Sequence, residues 1–173
     1  EVIASDLYLH EVVERVVAIA MRMLSCERVT LFLADNATRK MRVLSSVDDL
    51  SHISVDYGHG LVGYVAEHRV MINIADAYED ARFNTKVDEE TGFKTRSVLC
   101  CPMMDASGEL IAVLQAINPL HGGGFADSEL VELQCMQKPI SIALLNARLH
   151  QSLRTAKSNA SHLLQVAMVT LSV

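Results

Sequence analysis

The side chains best suited to chemistry lie within residues 72–102, a polar segment held between two apolar runs. There, the acidic run Asp88-Glu89-Glu90 is followed by Thr91 and, four positions later, Thr95. Residues four apart share a face on a helical turn, so this spacing predicts two hydroxyls and a carboxylate on one wall. A hydroxyl donates and accepts, and a carboxylate accepts. Together they suit a purine edge, which offers both donors and acceptors. A solvated acidic turn with incidental threonines has the same spacing.

Gly58-His59-Gly60-Leu61-Val62-Gly63 is a literal G-x-G-x-x-G. A dinucleotide site would need a buried strand before it and a long helix after it. Residues 51–57 are weakly patterned, an edge strand or a loop, and residues 61–69 hold only a short helix before the chain extends again at Val70. The dinucleotide reading is therefore set aside. What remains is backbone that can approach a ligand closely, and helix-start N–H groups that can face an anion. A bare tight turn is the competing reading.

Four cysteines (Cys26, Cys100, Cys101, Cys135) include no C-x-x-C pair. They predict buried free thiols in a reducing, cytoplasmic compartment. Cys100 and Cys101 are adjacent on an expected strand, so their thiols point to opposite faces and cannot easily bridge. A thiol-based reductase would need one of them in the pocket with a resolving partner. The seven histidines show no metal-ligand spacing, and nothing resembles G-x-S-x-G. The local chemistry favours binding over catalysis, with no metal and no cofactor.

The elements that must position these groups follow from periodicity. Val12, Val13, Val16, Ala20, Met23 and Leu24 mark an amphipathic helix, with Ser5 and Asp6 as expected caps. Residues 28–34 read as a strand, 41–46 as its hairpin partner, and 98–104 and 110–118 as apolar strands joined by Asp105-Ala106-Ser107-Gly108. After Gly122-Gly123-Gly124 a long helix is expected, capped by Asp127 or Ser128 and kinked at Pro139. This order suits an α+β fold, an antiparallel sheet with helices packed on it. In the final segment Leu153, Lys157, Ala160, Leu164, Ala167 and Leu171 fall at steps of four and three, a heptad seam.

At 173 residues and a net charge of −6, the chain suits one domain with an extension and argues against nucleic acid. No run reaches the roughly 18 apolar residues of a membrane span. The chain begins at Glu1 without an initiating Met, which predicts a piece of a longer protein.

The run Ile72-Asn73-Ile74-Ala75-Asp76-Ala77-Tyr78, then Asp80-Ala81-Arg82-Phe83-Asn84, Val87-Asp88-Glu89-Glu90-Thr91-Gly92-Phe93-Lys94-Thr95-Arg96-Ser97 and Leu99-Cys100-Cys101-Pro102, closely resembles the ligand-covering part of GAF domains. It resembles in particular those that regulate cyclic-nucleotide phosphodiesterases. The similarity extends over roughly residues 7–149, with Gly60-Leu61-Val62-Gly63 and Val113-Leu114-Gln115-Ala116-Ile117-Asn118 in matching order. It implies a GAF-like sheet of about six strands, with helices behind it and a cyclic nucleotide sealed on the other side. It also implies a domain over residues 1–150, a connecting or dimerising helix over 151–173, and an attached phosphodiesterase catalytic domain. A homodimer through terminal helices is the expected assembly, and a ligand-free GAF module serving dimerisation is the alternative.

By the same resemblance Thr30 supplies the first-strand hydroxyl, and backbone at Ser46 and Val47 meets the ligand, although most relatives carry an aromatic where Ser46 stands. Leu61 and Val62 meet the phosphate, with backbone near Asn84. Asp88, Thr91 and Thr95 form the lid, and Gln115 is the polar group on the late strand. Gln115 and Thr91 each donate and accept, so cyclic AMP and cyclic GMP both remain open. The family motif Asn-Lys, spacer, Phe-x-x-x-Asp-Glu keeps Asn118 and Phe125 here, but Pro119 replaces the Lys, Glu129 the Asp and Leu130 the Glu. In the family that Lys and Asp clasp the back of the pocket; Pro119 cannot.

Overall fold

Two long strands at the centre of the sheet are apolar on both faces because each face is covered. In the computed structural model, which describes residues 2–45 and 53–170, these are β1 (Cys26–Asp35) and β6 (Leu110–Pro119). The remaining elements are α1 (Val2–Met23), β2 (Lys40–Ser45), β3 (Ser54–Asp56), α2 (Gly60–His68), β4 (Ile72–Ile74), a 3-10 turn at Ala77–Glu79, α3 (Lys86–Thr91), β5 (Val98–Met104) and α4 (Asp127–Thr170). The strands form one sheet in the order β3-β2-β1-β6-β5-β4, every pair antiparallel. This is the α+β architecture expected from the element order. Helix α1 begins at Val2, so the caps expected at Ser5 and Asp6 lie inside it.

Alternation along each strand divides the core in two. Val29, Leu31, Leu33, Leu114 and Ala116 face α1 and α4, where Val13, Val16, Val17 and Ala20 of α1, Leu24 just after it, and Leu133, Leu144 and Ala147 of α4 pack on them. Phe32, Val43, Val98 and Val113 face the other way, under Leu61, Val62, Val65 and Ala66 of α2. Cys100 belongs to the second cluster and Cys101 to the first, as strand alternation requires. Burial pushes the Cys101 thiol up to about 12 and the Cys100 thiol higher still. Both stay protonated, and a nucleophilic role needs the thiolate.

Helix α4 is continuous through Pro139 and across position 150. What changes along it is burial. Near the end of the covered part, Arg148 Nη2 donates to the Ala34 carbonyl at 2.6 Å and the His150 ring lies 4.9 Å from that of Tyr8 in α1. From Ser152 to Met168 every residue is exposed, Leu153 at 70% and Leu163 at 69% included. Of the heptad positions, Leu171 lies outside the described residues.

Candidate ligand-binding site

On the α2 face of the sheet lies a cavity of about 310 Å³, within the roughly 300–1,000 Å³ range of small-molecule sites. Its floor comes from neighbouring strands in register: Thr30 of β1 pairs with Gln115 of β6, and Arg28 with Ile117, and all four line the cavity with Phe32 and Val43. Thr30 is 2% exposed. One rim is β3 and the start of α2, through Val55, Asp56, His59, Gly60, Leu61 and Val62. The opposite rim is the segment between β4 and β5, through Phe83, Asn84, Val87, Asp88 and Thr95.

The glycine motif turns the chain at β3 and starts α2. Gly60 sits at φ +64, where a side chain would be strained, and a Cβ on Gly63 would collide with the Asp56 carbonyl oxygen. The third glycine is thus required by the contact of α2 with β3, not by a ligand. His59 gives α2 no side-chain cap. The first N–H groups of a helix have no intrahelical acceptor, so this end of the cavity, at Leu61 and Val62, is suited to a negatively charged group.

The lid is organised around one carboxylate. Asp88, 8% exposed in α3, accepts from the Thr95 backbone N–H at 2.6 Å and Thr95 Oγ1 at 2.7 Å. Its Oδ2 also accepts from the Tyr78 hydroxyl at 3.0 Å, which pushes the Tyr78 phenol up. Thr91 does not join them. Gly92 at φ +69 ends α3 one residue after Thr91, so the helical turn expected to align Thr91 with Thr95 stops before reaching Thr95. Thr91 is exposed and donates to the Val87 carbonyl at 2.7 Å. Thr95 instead folds back over α3 and is 4% exposed.

Two further contacts fix the lid to its surroundings. The Arg28 guanidinium lies 3.7 Å from the Phe93 ring centroid, joining β1 to the segment after α3. Arg82 chelates Asp80 through Nε and Nη2 at 2.9 and 2.6 Å while lying over Tyr64 of α2 at 4.2 Å. The guanidinium holds the Asp80 carboxyl down to about 2. Asn84 lines the cavity, and its side-chain oxygen accepts from the Lys86 N–H at 3.1 Å.

The residues left of the late motif have structural partners. Asn118 uses all four of its hydrogen-bonding positions. Its Oδ1 accepts from the backbone of Arg96 and Ser97, and its Nδ2 donates to the Lys94 carbonyl and to Glu27. That bond and the Arg96 guanidinium lower the Glu27 carboxyl. Phe125 is buried, and its carbonyl accepts from Asn73 of β4 at 2.8 Å. Glu129 accepts from the Ala126 N–H at 2.7 Å, the reciprocal half of a capping box, and pairs with His121 at 3.1 Å.

Thr30, Leu61, Val62, Asn84, Asp88, Thr95 and Gln115 therefore border one cavity. Thr91 stands outside it, Asn118, Phe125 and Glu129 brace the surroundings, and Ser46 and Val47 lie outside the described residues. Sequence reasoning missed Arg28, Phe83, Tyr78 and His121. Arg28 was findable, because it shares strand parity with Thr30 and Phe32. Tyr78 was not, since its bond to Asp88 spans ten positions of irregular chain. Among the described residues no group of three or more His, Cys, Asp or Glu could hold a metal, and no helix is long and apolar enough to cross a membrane.

Comparison with known proteins gives a consistent picture. The profile of the GAF domain family matches residues 8–144. Dual 3',5'-cyclic-AMP and -GMP phosphodiesterase 11A of Takifugu rubripes is 33% identical over 177 residues, covering 95% of this chain and 20% of that protein. A cGMP-specific 3',5'-cyclic phosphodiesterase of Drosophila erecta is 41% identical over 92 residues, covering 52% of this chain and 8% of that protein. The chain thus spans a fifth or less of the length of these two relatives. Among solved structures, the GAF domain of a Coxiella burnetii phosphoenolpyruvate-protein phosphotransferase superposes with a TM-score of 0.73 at 21% identity, over 83% of this chain and 86% of that one. A free methionine-R-sulfoxide reductase of Thermoplasma acidophilum does so with 0.63 at 15%, over 79% and 94%. Identities this low establish a shared fold alone.

Proposed function

The chain belongs to the GAF domain family, and from that premise we propose that it is a regulatory domain that binds a cyclic nucleotide, cyclic AMP or cyclic GMP. The observation that carries this reading is the pairing of Asp88 with Thr95 at 2.6 and 2.7 Å across a cavity from the uncapped start of α2. One end of the cavity offers helix N–H groups to a cyclic phosphate. The other offers Thr30, Gln115 and Thr95, which can meet a purine edge. The kinship with cyclic-nucleotide phosphodiesterases supports the same ligand class, and buried Cys100 and Cys101 speak against thiol chemistry at this site.

We take the output to be an attached phosphodiesterase catalytic domain in the cytoplasm, reached through α4. Nucleotide shifts that output only as far as its affinities for two states differ, typically by about 1–3 kcal/mol. Among the described residues of α4, those from Ser152 to Met168 are exposed. Its exposed Leu153, Leu163 and Leu164 favour pairing with a second copy along this stretch. Titration of the purified domain with cyclic AMP and cyclic GMP in a calorimeter tests the reading. Saturable binding of either nucleotide is expected, and silence of both at millimolar concentration overturns it in favour of a ligand-free dimerising module.

A further inference from the structure

The two ends of the lid are held from either end of one loop, by Asn118 near the end of β6 and by Phe125 just before α4. Leaving β6, Asn118 holds the returning end of the lid through the Lys94 carbonyl and the N–H groups of Arg96 and Ser97. Seven residues later the Phe125 carbonyl holds Asn73 of β4 at 2.8 Å, just before the chain enters the lid at Asp76. The loop between these anchors therefore adjoins both ends of the lid.

Within that loop the one charged side chain that pairs with α4 among the described residues is His121. Its Nε2 lies 3.2 and 3.1 Å from the two Glu129 carboxylate oxygens, and its Nδ1 lies 2.9 Å from the Gly122 carbonyl. Glu129 is the better buried partner, with side-chain exposure of 12% against 49% for His121. Its Oε2 also accepts from the Ala126 N–H, next to Phe125. The other charged groups near this loop are Asp76, Lys94 and Arg96, which border a second hollow beside Gly122. Arg96 is paired with Glu27, and the Asp76 carboxylate accepts from the Tyr78 N–H.

We propose that His121 is a positioning residue: its contact with Glu129 clasps the lid-bearing loop to α4 and makes that clasp dependent on pH. Only the imidazolium attracts Glu129 as an ion pair. The Glu129 and Gly122 oxygens raise the His121 imidazole above its ordinary value. A raised value means that the clasp is fully present at lower pH and is lost as pH rises through it. The ion-pair geometry, rather than this shift, is the basis of the assignment.

The test has an arm that needs no nucleotide, because the effect on affinity also rests on the cyclic-nucleotide reading above. Amide exchange at residues 73–76 and 94–97 is compared between the intact chain and His121→Lys at each pH, so that intrinsic exchange rates cancel. The ratio is expected near one at about pH 5.5 and to rise about two- to fivefold by about pH 8.5 in favour of the lysine variant, in line with a partly exposed pair. A ratio that does not change with pH overturns the proposal. The His121 ring titration, followed by NMR, should fall toward about 6.5 in Glu129→Gln; an unchanged titration also overturns it. Cyclic-nucleotide affinity should weaken with rising pH in the parent chain and stay flat in His121→Lys. Nucleotide binding that is equally pH-dependent in both would count against the clasp. A changing exchange ratio without any nucleotide binding would uphold the clasp and refute the cyclic-nucleotide reading.

Discussion

Thr95 closes on Asp88 twice, through its backbone N–H to Oδ2 and its hydroxyl to Oδ1, so the carboxylate that shapes the lid is held by a residue beyond the helix carrying it. Thr95→Ala removes the hydroxyl bond and leaves a buried oxygen short of a donor. Weakening of nucleotide binding by about 1–3 kcal/mol is expected, read by calorimetry. An unchanged affinity would remove Thr95 from the site.

Thr91 and Tyr78 form a contrasting pair. Thr91 is exposed and its hydroxyl bonds within α3, so Thr91→Ala should change affinity and stability by no more than about 0.5 kcal/mol. Tyr78→Phe removes one of three donors to Asp88 and should weaken binding by about 0.5–1.5 kcal/mol. If Thr91→Ala proved the more damaging of the two, the lid would be built differently from the arrangement described.

Gly63 is required by packing. A Cβ there meets the Asp56 carbonyl oxygen and crowds the Gly58 nitrogen, and backbone cannot move aside as a flexible side chain can. Gly63→Ala should destabilise the fold by about 1–3 kcal/mol, measured by urea unfolding, and should disturb the rim formed by Val55, Asp56 and Leu61.

The Asp80–Arg82 pair makes the stability of the lid depend on pH. Asp80 has its folded value depressed to about 2 by Arg82, so its stabilising contribution is present above the ordinary carboxylate value and is lost as pH falls through about 2. In Asp80→Asn that contribution is absent at every pH. The variant should therefore be less stable than the parent at neutral pH, and the two stability curves should converge toward about pH 2. Curves that stay parallel over that range would show that the pair contributes nothing to stability.

For the α4 extension, Leu153→Glu combined with Leu163→Glu places charge on two exposed apolar positions without touching the domain core. Analytical ultracentrifugation should show the association constant of the parent chain falling by at least about tenfold, while thermal unfolding of the sheet stays within about 0.5 kcal/mol. A parent chain that remains monomeric at high micromolar concentration would remove the second copy from the proposal.

Much of this architecture was legible without coordinates. Residues 28–34 alternate and are rich in β-formers, and residues 98–104 and 110–118 are apolar runs joined by a turn signal, so all three read as strands. Strand parity also separated Cys100 from Cys101 correctly. The weak pattern of residues 51–57 left strand and loop open, and β3 proved to be a strand of three residues, Ser54–Asp56. An edge strand with one partner carries little of the alternation that marks a central one.

The sequence by itself determined the sheet, because periodicity is a property of neighbouring residues, and its resemblance to GAF domains implied the family and a pocket lined by Thr30, Asp88, Thr95 and Gln115. Only the tertiary structure decided which hydroxyl reaches the carboxylate. Gly92 reverses the chain between Thr91 and Thr95, and no helical spacing survives that reversal. Likewise, in space His121 reaches Glu129 across eight positions, since a loop that turns through consecutive glycines brings together side chains that linear spacing keeps apart.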